Sequence, residues 1–334
     1  MAAHQPRIGI IGAGIAGLTL ARRLHDAGLA VEVIEKSRGL GGRLAARRRD
    51  AATYDHGAQY FTARSEAFRA IVAKAEAGGF AAEWSPRETA QTSPQARYVG
   101  TPGMSRFVRG LADGLAIANG KTAQDITCDA AGCWHVATAE GDTYGPFETV
   151  VAAIPSPQAA ALLGPLDPAF TALDAVTMAP CWTAMLAFKT PLDVPFDVWR
   201  AEGEAADGPI GWIARNTSKP DREATPDAWV IQAGTRWSID NLEREKEDAC
   251  ARLADAFASH LGTLVEGVKV PDVTDATAHR WRYARVITPL GQPFLAAEEK
   301  SLYAIGDWCI RGRVEAAWES GDTLASHLLA NHQP

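Results

Sequence analysis

The 334-residue chain predicts an α/β fold in which a parallel sheet is assembled from both ends of the polypeptide, with an α+β part carrying an antiparallel sheet inserted between them. Three observations carry this. The apolar run Arg7 to Ile11 leads directly into Gly12-Ala13-Gly14-Ile15-Ala16-Gly17 and then into helical spacing at Leu18, Ala21 and Leu24. A second apolar run, Ser301 to Ile305, ends in Gly306-Asp307 near the other end of the chain. Between them, from Pro165 to about Asp275, proline and tryptophan become frequent and strand candidates follow at Thr177–Phe188, Pro209–Arg215 and Ala228–Gly234.

The elements follow in order. Gly28 stops the first helix, and Leu29 to Glu35 is the next strand, a βαβ opening of about 30 residues. Ser65 is the N-cap of a helix that Gly78-Gly79 stops. Met104 to Gly114 is a short helix. Between Lys121 and Glu148, turn signals at Ala131-Gly132 and Glu140-Gly141-Asp142 separate the strands of an antiparallel β-meander. Thr149 to Ile154 is a buried strand closed by Pro155. Ser238 to Leu261 has the pattern of one long amphipathic helix, and Val314 to Ala330 that of a final helix. This divides the chain into a discontinuous nucleotide-binding domain (1–70, 95–164 and 280–334) and an inserted substrate domain (71–94 and 165–279).

Composition narrows the function. With 33 Lys+Arg against 40 Asp+Glu, the net charge of −7 argues against nucleic acid or an anionic membrane as partner. The uncharged stretch Thr149–Leu166 is broken by Pro155, Pro157 and Pro165, and no run approaches the roughly 20 apolar residues of a membrane span. Met1 to Arg7 lacks the charged-then-apolar pattern of a secretory signal. The five cysteines are scattered, odd in number and without a C-x-x-C pair, so neither a disulfide framework nor a zinc site is expected, and a reducing cytoplasm is.

The glycine motif is that of a Rossmann-like dinucleotide site. Gly12 permits the tight turn, Gly14 lets a pyrophosphate approach the backbone, and Gly17 lets helix and strand pack closely. Ile15 and Ala16 open a helix whose free N–H groups and dipole favour an anion. Glu35, followed by Lys36, closes the second strand, where a carboxylate accepts both hydroxyls of an adenosine ribose. These features suit NAD and FAD alike. The run Arg38-Gly39-Leu40-Gly41-Gly42-Arg43 separates them: adjacent glycines bring a second backbone stretch to the pyrophosphate, and Arg43 adds a charge-assisted fork. FAD is the expected cofactor.

An acidic strand end followed by Gly41-Gly42-Arg43 resembles the flavin-dependent amine oxidases and their relatives, including protoporphyrinogen oxidases and phytoene desaturases. The stretch Asp55-His56-Gly57-Ala58-Gln59-Tyr60-Phe61-Thr62 narrows the resemblance. So do Tyr98-Val99-Gly100 leading into Gly103-Met104, Trp212 through Ser218-Lys219-Pro220, and His279-Arg280-Trp281-Arg282-Tyr283. Together they are similar to the renalase-like branch, especially its bacterial members. The resemblance implies non-covalent FAD and oxidation of the 2- and 6-dihydro isomers of NAD(P)H to NAD(P)+. It also implies dioxygen as the acceptor, reduced to hydrogen peroxide. It places Gly306-Asp307 near the ribityl chain and pyrophosphate. Val314, Glu315 and Ala316, with Ala317, open a helix whose dipole would stabilise negative charge on the reduced flavin by about 0.3–2 kcal/mol. His56, Gly57, Ala58, Gln59 and Tyr60 read as backbone passing close to the isoalloxazine, with His56 a structural histidine rather than a covalent anchor.

Strand alternation places His279, Trp281, Tyr283 and Arg285 on one face and Arg280 and Arg282 on the other. Two readings stay open: an aromatic wall for a flat nicotinamide with arginines for its phosphates, or a core-facing strand with solvated arginines. Trp182 and Trp212 divide the same way between pocket and core. Arg215, Lys219 and Arg222 belong either to a phosphate site or to a solvated loop. Other functional readings are a flavin amine oxidase or desaturase-type dehydrogenase, a non-catalytic flavoprotein, and an NAD-dependent dehydrogenase. The last leaves Gly41-Gly42-Arg43 and Gly306-Asp307 unexplained.

Overall fold

The computed structural model describes residues 7–49, 52–88 and 95–331. The signal-peptide reading at residues 1–6, and the parts of the expected domain segments at 89–94 and 332–334, lie outside the described residues.

The chain begins with β1 (Arg7–Ile11), α1 (Ile15–Asp26) and β2 (Ala30–Glu35), followed by the hairpin β3 (Ala46–Arg48) and β4 (Thr53–Asp55). Helix α2 (Glu66–Ala77) is capped by Ser65, whose Oγ accepts the Phe68 N–H, and leads to β5 (Ala81–Glu83) and β6 (Tyr98–Gly100). A 3-10 turn, Met104–Val108, runs into the single turn α3 (Arg109–Ala112), so the short helix expected there is mostly 3-10. Then come β7 (Ala116–Asn119), the meander β8 (Ala123–Cys128), β9 (Trp134–Thr138) and β10 (Thr143–Phe147), β11 (Thr149–Ala152) and α4 (Ser156–Leu163).

The middle of the chain forms β12 (Thr177–Phe188), β13 (Val198–Arg200), β14 (Trp212–Arg215), β15 (Asp227–Gln232), α5 (Thr235–Asp240), α6 (Lys246–Leu264) and β16 (Val273–Thr288). It closes with β17 (Leu295–Ala297), β18 (Leu302–Ala304), α7 (Asp307–Ile310) and α8 (Val314–Asn331).

The first sheet runs β17-β18-β11-β1-β2-β7, so strands from both ends of the chain pair within it; β1 is parallel to both β2 and β11, and β11 to β18. Its central strands are buried on both faces, as a parallel sheet requires. Ile8, Ile10 and Val151 pack with Leu18, Leu324 and Leu328 of α1 and α8 on one side. Ile11, Val150 and Ala152 pack with Val136 and Phe147 of the meander and Leu163 of α4 on the other. Helix α8 lies against α1 at Gly321, where an added Cβ would stand 2.3 Å from the Ala16 carbonyl oxygen.

The second sheet runs β13-β14-β15-β12-β16 and is antiparallel. Leu186, Ile213 and Trp229 bury one of its faces against Leu253, Phe257 and Leu261 of α6. Strand β16 is at the edge and is longer than the aromatic run suggests. The helix expected over Ser238–Leu261 is two helices. Asn241 ends α5, its N–H reaching the Trp237 carbonyl and its own carbonyl accepting the Trp182 indole N–H at 2.9 Å. Glu243 is drawn aside by two arginines of β16, and α6 restarts at Lys246 with Glu247 and Asp248 in its first turn, where the dipole favours acids. Tertiary contacts override the apolar periodicity here. Among the described residues no helix is long and apolar enough to cross a membrane.

Candidate active site

A cavity of about 1890 Å³ runs from the C-terminal ends of β1 and β2 to the edge of the second sheet. That is well above the roughly 300–1000 Å³ of a drug-sized pocket, and it has room for a dinucleotide and a second ligand.

At one end, the N-terminus of α1 carries no side-chain cap, and space is open where a Gly14 Cβ would project. Gly41 and Gly42 close over it in the left-handed region, with φ of 106° and 54°. Gly41 pairs with Gly14 and donates to the Ala13 carbonyl at 2.9 Å. Two glycine backbones thus form a cradle that any side chain at Gly14 would fill. Uncapped N–H groups beside it attract an anion. Gly17 does not reach the cavity; it permits the close turn, since a Cβ there would lie 2.1 Å from the Gly12 carbonyl oxygen.

The buried Glu35 carboxylate accepts the Ala13 and Ser37 N–H groups, each at 2.7 Å, holding the glycine loop to the end of β2. Each oxygen keeps a lone pair for a ribose hydroxyl. Arg43 forms a two-pronged pair with Asp307, at 2.5 and 2.9 Å, and donates to the Ala284 carbonyl of β16 at 3.3 Å. One guanidinium therefore ties the glycine loop, the start of α7 and the edge of the second sheet together.

Gly12, Gly14, Ile15, Ala16, Glu35, Lys36, Gly42, Arg43, His56, Gly57, Ala58, Tyr60, Gly306, Asp307 and Val314 all line the cavity. Three further residues read as cofactor contacts do not. Gln59 points away from it, its amide donating to the Asp55 and Gly57 carbonyls. Glu315 accepts the Arg64 and Ser65 N–H groups at 3.0 and 2.7 Å, tying α8 to the start of α2. Ala316 is buried, and Ala317 takes its place in the wall.

Of the aromatic candidates, Tyr60, Trp212, His279, Trp281 and Tyr283 line the cavity; Trp182 is core, packed in the second sheet. The Tyr60 and Trp212 rings pack at a 39° tilt with centroids 5.8 Å apart, and the Arg97 guanidinium sits 4.8 Å above Tyr60. His279 and Trp281 pack on His56, and the Trp281 indole N–H donates to the His56 carbonyl at 2.8 Å. Arg280 and Arg282 share the opposite face, as alternation requires, yet all seven residues from His279 to Arg285 border the cavity because β16 is an edge strand.

The RNTSKPDR loop is neither solvated nor a phosphate site. Lys219 is fully buried, 3.0 Å from Asp55, and Arg222 meets the same carboxylate at 2.7 Å; Arg215 pairs with Asp197 and Asp227. Asp55 lies more than 160 residues away in sequence, so the loop's own composition gave no sign of this partner. Arg200, Cys181, Gln232 and Arg313 also line the wall. Arg313 stands in the Arg-Gly-Arg before α8 and was findable there; the other three carry no local signal.

Burial pushes the His56 imidazole down to about 3, with His279 and Arg47 adding to the effect, and burial beside Arg47 brings His279 down to about 4. Both folded-state values lie below the roughly 6.5 of an unfolded histidine, so the unfolded chain takes up protons first. Their stabilisation is complete above about pH 6.5 and is lost as the pH falls towards 4 and then 3. Stability should drop by up to about 2.7 kcal/mol per pH unit between pH 6 and 5. Urea unfolding at pH 7 and pH 5 measures this, and the double variant His56→Asn/His279→Asn should flatten the slope.

The NAD(P)-binding Rossmann-like domain model matches residues 10–75, and that of the flavin containing amine oxidoreductase family matches residues 73–329. Among solved structures, the chain is similar to a candidate protoporphyrinogen oxidase from Exiguobacterium sp. 255-15 (12% identity, TM-score 0.73, 98% of this chain and 100% of that one). It is similar to a putrescine oxidase variant with redesigned cofactor binding (14%, 0.70, 98% and 99%) and to a reduced UDP-galactopyranose mutase (10%, 0.72, 99% and 97%). At these identities the likeness is one of fold. The flavin containing amine oxidoreductase match extends over most of the polypeptide, the Rossmann-like match covers the glycine cradle ahead of it, and the chain is therefore a member of the flavin containing amine oxidoreductase family, with FAD as its cofactor.

Proposed function

We propose that the chain is a renalase-type oxidoreductase that oxidises the 2- and 6-dihydro isomers of NAD(P)H to NAD(P)+, the electrons passing to dioxygen to give hydrogen peroxide. One observation carries the reading. Among the described residues, Glu35 and Asp307 are the carboxylates of the cavity wall, against more than a dozen arginines and lysines. Both are engaged, Glu35 by backbone N–H groups and Asp307 by Arg43. Among the described residues a cationic amine finds no unengaged carboxylate in the wall to receive it; an anionic dinucleotide meets a field of the right sign.

In this reading FAD is held without a covalent bond by the α1 N-terminus, Gly42, Glu35 and Lys36 at its adenosine-diphosphate half, and by Arg43, Gly306, Asp307, Val314 and Ala317 towards the flavin. The domain division at 1–70, 95–164 and 280–334 against 71–94 and 165–279 belongs to the same proposal. Bound FAD supplies a two-electron acceptor at N5. The chain's own part is to orient the ring and exclude water. Tyr60 and Trp212 offer one aromatic wall and Trp281 with Tyr283 another, for a flat nicotinamide to lie between. An isomeric dihydronicotinamide becomes aromatic by losing one hydride, so no side chain has to remove a proton, and proximity of about 3–3.5 Å is the main demand.

Mixing the FAD-loaded protein anaerobically with 2-dihydro-NAD(P) should bleach the yellow absorbance of the oxidised flavin, while primary amines leave it unchanged. Bleaching by amines alone would replace this reading with amine oxidation. Bleaching by neither would favour a non-catalytic flavoprotein.

A further inference from the structure

Arg280 and Arg282 stand at successive same-face positions of the edge strand β16, about 6.6 Å apart along the chain, and both border the cavity. They converge on one carboxylate. Arg282 grips Glu243 with both terminal nitrogens, each at 2.7 Å, and Arg280 reaches it at 3.0 Å. Two guanidinium forks closing on one pair of oxygens is an arrangement that suits a phosphate group at least as well.

Arg280 has further support that does not depend on Glu243. It donates to the Leu242 carbonyl at 2.6 Å, and its guanidinium lies 5.7 Å from the centre of the Trp182 ring. The fork therefore stays in place when the carboxylate leaves. Glu243 lies on the five-residue linker that interrupts the expected helix, and its side chain is 68% exposed. An ion pair so open to water is weakly held, and a diphosphate, with two charges and more acceptor oxygens, competes well for the same forks.

We infer that Arg280 and Arg282 form a subsite for the diphosphate bridge of the substrate, and that Glu243 fills it as an internal anion which the substrate displaces. The inference rests on the reading of the substrate as a dinucleotide. A mononucleotide, lacking the bridge, gains nothing from the site.

Two measurements decide it. In calorimetric titration of the FAD-loaded protein with inorganic pyrophosphate, Glu243→Gln should bind about tenfold more tightly than the parent and Arg282→Ala about tenfold more weakly. In steady-state assays, KM for 2-dihydro-NAD(P) should move in the same directions, while KM for the corresponding dihydronicotinamide mononucleotide stays within about twofold. Unchanged pyrophosphate affinity in both variants overturns the subsite, as do equal KM shifts for the two substrates. If no dihydronicotinamide reduces the flavin, the functional reading fails, and the pyrophosphate titration still decides the subsite by itself.

Discussion

Replacing Asp55 by alanine is expected to be the most damaging single change in the protein. Asp55 is fully buried at the end of β4. Burial alone would raise its carboxyl, but the Lys219 and Arg222 charges and the Met104 N–H outweigh burial and hold it below the usual range. Removing it leaves two buried cations facing each other, a loss of about 3–5 kcal/mol and a fall in Tm on the order of 10 °C. The pH response identifies the cause. Burial brings Lys219 down to about 8, below the roughly 10.4 of the unfolded chain, so between these values the unfolded state holds the extra proton and stability rises with pH. Without Asp55 the ammonium is opposed further, and the Asp55→Ala variant should recover part of its loss between pH 7 and pH 9.5. Thermal melts of parent and variant across this range check it, and a deficit independent of pH would mean that lost packing is the cause.

Gly57→Ala is expected to cost the protein its flavin with little loss of fold. An added Cβ would stand 2.0 Å from the Arg43 carbonyl oxygen and 3.4 Å from the Trp281 ring. That contact cannot relax easily: the Ala58 N–H donates to the same Arg43 carbonyl at 2.9 Å, and the Gln232 amide donates to the Gly57 carbonyl at 2.7 Å. The alanine therefore pushes the Arg43 segment out and takes the Arg43–Asp307 pair with it. FAD should dissociate at least about tenfold more readily, a displacement worth roughly 1.4 kcal/mol or more, while the far-ultraviolet circular dichroism stays that of the parent. Dialysis followed by flavin absorbance measures it.

Signals confined to a few neighbouring residues were legible. The glycine motif, the Ser65 cap and the β12 strand at Thr177–Phe188 appear where local pattern puts them. Partnerships across long separations were not. Arg43 and Asp307 each read as a cofactor residue, but no spacing rule pairs positions 264 apart. Lys219 read as part of a phosphate site or a solvated loop and Asp55, 164 positions away, as a motif residue, yet they form a buried ion pair. Trp182 reads as a pocket candidate because tryptophan suits both a pocket and a core, and only the packing of β12 against β15 and β16 decides for the core. The break at Asn241–Glu245 escaped because the apolar periodicity continues through it, while the forces that break the helix come from Trp182, Arg280 and Arg282.

The first sheet has a consequence for synthesis. Strand β18 pairs with β11 at its centre, and α8 seats its Gly321 on α1. A nascent chain that has displayed its glycine loop for most of its translation still lacks the last strand and helix of that layer. Cofactor loading therefore waits until those segments have been made and have joined the layer, and chains stalled before residue 302 should accumulate as colourless, protease-sensitive fragments.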